Sequence, residues 1–181
     1  MTFLNWPNII SLARLLSVPL IINLILCHHI VASFWIFLCA SASDAIDGYL
    51  ARKLKTRTEL GSFLDPLADK ALLISVYLTL SMIGFISPWI VTLVIFRDIL
   101  IIGGTILLFI FQKRSPMNPL MISKINTCTQ ILFVTFVLFD HAFKIWDLPI
   151  LFSALEYLVA LTTLLSGAFY VRVWFKKINT P

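Results

Sequence analysis

The feature that most limits the possible folds of this chain is its series of long apolar stretches. Each is about 20 residues long, the length of helix that crosses the hydrocarbon core of a bilayer. The stretches lie at Ile9–Leu26, Ile30–Leu50, Phe63–Ile83, Pro88–Phe111, Met121–Phe139 and Pro149–Trp174. Because backbone polar groups in lipid must bond within the protein, each stretch is predicted to be a helix. The sequence therefore predicts an all-α integral membrane protein, a bundle of six transmembrane helices preceded by a short interfacial segment.

Composition leaves little room for structure outside the membrane. The chain has 181 residues, of which 60% are hydrophobic and 13% are charged. Soluble domains carry roughly 25% charged residues, so this chain is unlike them. We therefore expect a single membrane domain over residues 1–181. Its basic residues are dispersed among the apolar stretches, which argues against nucleic-acid binding.

The positions of lysine and arginine predict the orientation in the membrane. Basic residues cluster after the second and fourth stretches and near the C-terminus, whereas the connections around His28-His29 and Ser87-Pro88 contain none. Cytoplasmic loops are enriched in lysine and arginine, so both termini and the segment 52–59 are expected in the cytoplasm. No signal or transit peptide is recognisable, and a bacterial cytoplasmic (inner) membrane is the simplest expected location for this multi-pass protein.

Five of the nine acidic residues lie between positions 44 and 69 of this apolar chain, and four of these are aspartates in a regular pattern. They form the pattern Asp44-x-x-Asp47-Gly48-x-x-Ala51-Arg52, then eight residues, then Gly61-x-x-x-Asp65-x-x-x-Asp69. Spacings of three and four place both carboxylates of each pair on one face of a helix. Acidic residues within membrane segments are costly and indicate a functional site. A short connection is expected to bring the two pairs together at the cytoplasmic face.

The residue types in this pattern indicate the chemistry. Carboxylates without His or Cys favour Mg²⁺, Mn²⁺ or Ca²⁺ over zinc, and four facing carboxylates would repel one another without cations between them. Two such ions could clamp a diphosphate and stabilise its leaving group. Gly48 and Gly61 would let a ligand approach the backbone, and Arg52 suits phosphate recognition. A carboxylate that is not wholly committed to metal could accept the proton of an attacking hydroxyl.

The whole pattern resembles that of the CDP-alcohol phosphatidyltransferase family and matches it at every position. The resemblance implies a six-helix, homodimeric membrane enzyme that moves a phosphatidyl group from CDP-diacylglycerol to an alcohol and releases CMP. It also implies two divalent cations, Mg²⁺ or Mn²⁺, and contact with membrane lipids. By the same resemblance, Asp69 completes the metal site and acts as the general base. The other implied roles are metal binding by Asp44, Asp47 and Asp65, and CDP binding by Gly48, Ala51, Arg52 and Gly61.

The acceptor alcohol is indicated by residues outside the pattern. The segment Asn5–Arg14 is similar to that of the subgroup that makes phosphatidylglycerophosphate and cardiolipin, while Arg97-Asp98 and Ile122–Gln130 look more like CMP-forming cardiolipin synthases. Typical phosphatidylglycerophosphate synthases have a second arginine in the fourth helix, whereas residues 99–110 here contain none. Phosphatidylglycerol carries one phosphate charge and so could bind with fewer cations than glycerol-3-phosphate. We therefore expect phosphatidylglycerol as the acceptor, with glycerol-3-phosphate as the alternative.

Three basic residues are candidates for binding the acceptor phosphate: Arg14, Arg97 and Lys124. Each has a structural alternative. Arg14 and Lys124 could be interfacial residues whose long side chains reach water. Arg97 could instead pair with Asp98 or with another helix inside the membrane. Glu156 is a further intramembrane acid, to which the sequence assigns no role.

Three other function classes stay open. An ion-coupled transporter also uses intramembrane acids, but its site would lie near the midplane, and no inverted repeat is evident. A purely structural membrane protein would leave the four aspartates unexplained. A metal-dependent hydrolase of CDP-diacylglycerol is the nearest chemical rival, because water could replace the alcohol.

Overall fold

The computed structural model describes residues 6–54, 59–110, 121–144 and 149–179, and within these the side chains of residues 12–43, 68–106, 121–144 and 149–175. All regular secondary structure in the described residues is α-helical. The helices are α1 (Trp6–Leu26), α2 (Ile30–Leu54), α3 (Glu59–Met82), α4 (Pro88–Ile110), α5 (Met121–Phe143) and α6 (Pro149–Asn179). The predicted all-α class is therefore confirmed.

Most of these helices are apolar enough to lie in a bilayer. Among the described residues, three segments combine the length and hydropathy of a membrane span: Pro88–Ile106, Met121–Phe143 and Pro149–Phe175. Two shorter apolar segments, Leu12–Leu26 and Ile30–Ser43, belong to α1 and α2. Large apolar side chains are exposed along several helices, as contact with lipid tails allows. The protein is thus a helical membrane protein, as predicted.

Five helices extend further than their apolar stretches predict, among them α2 and α6 at their C-terminal ends. α2 continues to Leu54 rather than Leu50, and α6 continues to Asn179 rather than Trp174. Both extensions run through basic sequence, which is favourable near the negative end of a helix dipole. Hydropathy marks where the lipid ends, whereas the helical hydrogen bonds continue beyond that point.

The C-terminal ends of α1 and α3 are each followed by a residue with a left-handed backbone conformation. His28 (φ 59°) follows α1, and Gly84 (φ 80°) follows α3. In the turn after α1, the N–H of His29 donates to the carbonyl oxygen of Leu24 at 2.8 Å, and the turn after α3 makes the equivalent bond. This Schellman motif satisfies the last carbonyls of a helix. It allows the chain to reverse within a few residues.

The chain divides into two compact units. Unit 1 comprises Met1–Ile86 and Val134–Asp147, and within it α1 packs against both α2 and α3. Unit 2 comprises Ser87–Phe133 and Leu148–Pro181, and within it α4 packs against α6. The prediction that residues 1–181 form one domain stays a prediction.

A glycine permits the close approach of α4 and α6 in unit 2. A side chain at Gly104 would collide with the indole ring of Trp174, whereas one at Gly103 would meet open space. Small residues line the interfaces of membrane helices because they allow the helix backbones to come close together. At Gly104, the missing side chain leaves room for the Trp174 ring to pack on α4.

Candidate active site

The aspartate pattern lies on the end of α2 and the beginning of α3. Its first half occupies about the last three turns of α2, and its second half occupies about the first three turns of α3. The helical backbone there has the periodicity from which the one-face arrangement was predicted. Seven of the predicted site residues have side chains outside the described set: Asp44, Asp47, Gly48, Ala51, Arg52, Gly61 and Asp65.

Asp69 is the pattern aspartate whose side chain the structure describes. Its Oδ1 accepts a hydrogen bond and ion pair from Nη1 of Arg14, which is 55 residues away in the sequence. The contact of α1 with α3 brings the two residues together. The side chain of Arg14 is 3% exposed, whereas that of Asp69 is 32% exposed. A candidate residue for the acceptor phosphate therefore contacts the candidate base.

A cavity of about 200 Å³ lies between α1 and α2 beside this pair. It is lined by Arg14 and Ser17 of α1 and by Cys39, Ala40 and Ser43 of α2, among others. The hydroxyl of Ser17 donates to the backbone carbonyl of Arg14 at 2.6 Å, and that of Ser43 donates to the carbonyl of Cys39 at 2.7 Å. Since Ser43 directly precedes the aspartate pattern, the cavity borders the candidate site.

Arg97 lies in the interior of unit 2, where it links three helices. Its Nη1 donates to Oδ1 of Asp98 at 2.6 Å. Its Nη2 donates to the hydroxyl oxygens of Ser123 on α5 at 2.7 Å and Ser166 on α6 at 2.6 Å. The structural alternative for Arg97, a pairing with Asp98 and with other helices, is confirmed. Its role at the acceptor phosphate stays a prediction.

The two remaining residues that the sequence singled out differ in exposure. Lys124, the third candidate for the acceptor phosphate, is exposed on α5. Glu156 is buried in α6, and its Oε1 has no hydrogen-bond partner among the described residues. The structure therefore leaves Lys124 accessible to a ligand and shows that Glu156 belongs to the interior.

Three polar residues of α6 form contacts that the sequence did not predict. Thr162 and Thr163 donate to Oδ1 of Asn126 at 3.0 and 2.9 Å, and Ser166 accepts from Arg97. Serine and threonine in helices often bond their own backbone, so their presence alone does not indicate a contact with another helix. The spacing of Thr163 and Ser166, three residues apart on one helical face, is the signal that could have pointed to a polar interface.

A family model for CDP-alcohol phosphatidyltransferases matches residues 4–170. Because this match covers most of the 181 residues, the chain belongs to the CDP-alcohol phosphatidyltransferase family. The resemblance drawn from the aspartate pattern is confirmed.

Individual relatives are named for two different activities. A protein of Aquifex aeolicus named CDP-diacylglycerol–glycerol-3-phosphate 3-phosphatidyltransferase is 33% identical over 183 residues, which are 97% of this chain and 98% of the relative. A chloroplastic protein of Oryza sativa with the same activity in its name is 33% identical over 93% of this chain. A protein of Schizosaccharomyces pombe named cardiolipin synthase (CMP-forming) / mitochondrial hydrolase fusion protein is 32% identical over 91% of this chain. The matched regions are only 56% of the rice protein and 30% of the fission yeast protein.

Proposed function

We propose that this protein is a metal-dependent phosphatidyltransferase that moves a phosphatidyl group from CDP-diacylglycerol to glycerol-3-phosphate and releases CMP. The observation that carries the proposal is the complete aspartate pattern, on the end of α2 and the beginning of α3, in a chain of this family. The relatives from Aquifex aeolicus and Bacillus subtilis, which match over 98% and 95% of their own lengths, are both named for this activity.

The donor set fits divalent cations. All four pattern side chains are carboxylates, arranged as two pairs within single helical turns of α2 and α3. The carboxylate of Asp69 is accessible enough to receive a ligand from water, since about a third of that side chain is exposed. We assign Asp44, Asp47, Asp65 and Asp69 as ligands of two Mg²⁺ or Mn²⁺ ions. Bound there, the ions would neutralise the diphosphate and stabilise CMP as the leaving group.

Asp69 is the proposed general base. It takes the proton of the acceptor hydroxyl while that oxygen attacks the phosphorus bearing diacylglycerol. The new P–O bond joins the acceptor to the phosphatidyl group, and the bond between this phosphorus and the CMP oxygen breaks. In the structure, Arg14 donates a hydrogen bond to this carboxylate. Gly48, Ala51, Arg52 and Gly61 are the proposed CDP-binding residues, on the same two helices.

Glycerol-3-phosphate as the acceptor reverses the preference drawn from the sequence. That preference depended on the likeness of Arg97-Asp98 and Ile122–Gln130 to CMP-forming cardiolipin synthases, on the absence of a second arginine in residues 99–110, and on the single phosphate charge of phosphatidylglycerol. The relatives named for transfer to glycerol-3-phosphate include proteins that match this chain over nearly their whole length, whereas the cardiolipin synthase from fission yeast matches over 30% of its own. Lys124 is the best placed of the three acceptor-phosphate candidates, because it is exposed while Arg14 and Arg97 are paired with carboxylates.

Phosphatidylglycerol is the second candidate acceptor. The fission yeast relative named as a CMP-forming cardiolipin synthase favours it, as does the lack of arginine in residues 99–110. The product would then be cardiolipin, formed by the same attack on the same phosphorus. The two candidates differ in the acceptor pocket and share the aspartate site.

Identification of the products tests the choice between these acceptors. Detergent-purified protein with CDP-diacylglycerol and Mg²⁺ is given glycerol-3-phosphate, phosphatidylglycerol or no acceptor, and the lipids are identified by mass spectrometry. We expect phosphatidylglycerophosphate from the first mixture. Cardiolipin from the second mixture alone would establish the second candidate. Equal release of CMP in all three mixtures would show that the protein is a hydrolase.

We also propose that the site and both termini face the cytoplasm and that the protein is a homodimer. The distribution of lysine and arginine supports the orientation. Labelling of single cysteines at positions 2 and 180 by a membrane-impermeant maleimide tests it. Labelling only after the membrane is opened is expected for cytoplasmic termini.

A further inference from the structure

Arg14 donates a hydrogen bond to an oxygen atom that has a different role in the proposed function. Its Nη1 bonds Oδ1 of Asp69, the carboxylate assigned above to a cation and to proton transfer. We propose that Arg14 is a positioning residue that holds this oxygen and yields it to the divalent cation, so that the guanidinium and the cation compete for Asp69. This inference rests on the proposed function, because it requires Asp69 to be a metal ligand.

The burial of the two partners favours such an exchange. The side chain of Arg14 is 3% exposed and packs between the helices of unit 1, so its release from Asp69 requires other hydrogen-bond acceptors within reach. The carboxylate of Asp69 reaches the surface with 32% of its side chain. A cation that approaches from water therefore meets Asp69 before it meets Arg14, and it brings to the carboxylate the charge that Arg14 had supplied.

The cavity between α1 and α2 provides a place for the displaced guanidinium. Arg14 itself lines this cavity of about 200 Å³, together with Ser17 and Ser43. Each serine hydroxyl donates its hydrogen to a backbone carbonyl, which leaves the oxygen free to accept a bond from a guanidinium N–H. Arg14 can thus turn from Asp69 towards the serines within this cavity between α1 and α2.

Competition predicts that removing the charge of Arg14 strengthens metal binding. In Arg14→Gln, the guanidinium no longer competes with the metal for Asp69, and we expect the Kd for Mn²⁺ to fall about three- to tenfold. Arg14→Lys keeps the charge and is the matched control, with a Kd within about twofold of the wild type. A purely structural role for Arg14 would instead weaken metal binding in both variants, because the carboxylate would lose its orientation.

Mn²⁺ titration of the detergent-purified full chain measures these affinities without any substrate, because the electron paramagnetic resonance signal of free Mn²⁺ disappears on binding. Tighter binding in Arg14→Gln, and no effect of the same change in an Asp69→Asn background, is the expected result. Unchanged or weaker binding in Arg14→Gln, while Asp69→Asn weakens binding, overturns the inference and leaves the proposed function standing. If Asp69→Asn does not alter Mn²⁺ binding, the assignment of Asp69 in the proposed function fails instead.

A second variant decides the matter should Arg14→Gln fail to fold. Ala40 lines the same cavity on α2, so Ala40→Leu fills the space into which Arg14 would turn and leaves the ion pair itself unchanged. We expect this variant to bind Mn²⁺ about threefold more weakly, the opposite direction to Arg14→Gln. An unchanged affinity in a folded Ala40→Leu protein contradicts the exchange.

Discussion

Two Arg–Asp pairs in this protein share the same chemistry and differ in their surroundings. Arg14 and Asp69 are 55 residues apart and join α1 to α3 in unit 1. Arg97 and Asp98 are neighbours in α4, inside unit 2. The side chain of Asp69 is 32% exposed, whereas that of Asp98 is 4% exposed. The same two residue types therefore form one pair with a partly exposed carboxylate and one pair whose carboxylate is buried.

This difference in burial decides what each carboxylate can do. A carboxylate that reaches water can exchange its partner for a metal ion or receive a proton from a ligand. A carboxylate enclosed with its arginine is out of reach of a metal ion that approaches from outside the protein. Arg97 is held further by Ser123, Ser166 and the ring of Tyr170, whose centroid lies 6.0 Å from its guanidinium carbon. We therefore propose that the first pair takes part in catalysis, whereas the second pair holds α4, α5 and α6 together.

The largest expected effect is the loss of activity when divalent cations are removed. Chelation by EDTA is expected to lower CMP release from CDP-diacylglycerol by about 1000-fold or more, and added Mg²⁺ or Mn²⁺ should restore it. Binding of the ions should also raise the Tm of the protein, because they bind the folded state. If metal ions raised the Tm of Asp69→Asn by the same amount, Asp69 would be no more a metal ligand than Asp98 is.

The next largest effect is the destabilisation expected from Arg97→Met. It leaves a buried carboxylate at Asp98 without this cation, which typically costs about 3–5 kcal/mol. The double variant Arg97→Met with Asp98→Leu should recover most of that stability, because two apolar residues replace the pair. Thermal unfolding in detergent checks both. An Arg97→Met protein as stable as the wild type, but without CMP release, would mean that Arg97 acts on a ligand and that the contrast between the pairs is wrong.

The smallest effect is expected from Ser166→Ala. This change removes one of the two hydroxyl oxygens that accept from Nη2 of Arg97 and should destabilise the fold by about 1–2 kcal/mol. Ser153→Ala is the matched control, since Ser153 is exposed on the same helix and its loss should cost less than about 0.5 kcal/mol. Equal effects of the two changes would indicate that the bond to Arg97 contributes little to cohesion.

The sequence predicted the helices well because apolar length is a local property. Four of the helices begin at the predicted residues, namely Ile30, Pro88, Met121 and Pro149. The ends of α2 and α6 were predicted too short, since helical hydrogen bonds continue after the apolar residues stop. The turn at His28 was not predicted either, because a left-handed conformation is uncommon for residues other than glycine.

For the candidate site, the sequence indicated which residues to consider, whereas it left most of their contacts open. The aspartate pattern indicated the family, and adjacency suggested that Arg97 pairs with Asp98. The contact of Arg14 with Asp69 could not be predicted, because it depends on how α1 packs against α3 over a separation of 55 residues. The bond of Ser166 to Arg97 was missed for the same reason, since a serine in an apolar helix gives no indication of its partner.

The most direct test of this account compares the initial rate of CMP release in Asp69→Asn and Asp98→Asn, with each rate normalised to the amount of folded protein. The account predicts that Asp69→Asn loses about 1000-fold or more of the rate per folded molecule, and that its Tm also falls because the buried Arg14 loses this carboxylate partner. It predicts that Asp98→Asn has a lower Tm and a rate per folded molecule close to that of the wild type. Near-normal turnover in Asp69→Asn, with activity lost in folded Asp98→Asn, would contradict it.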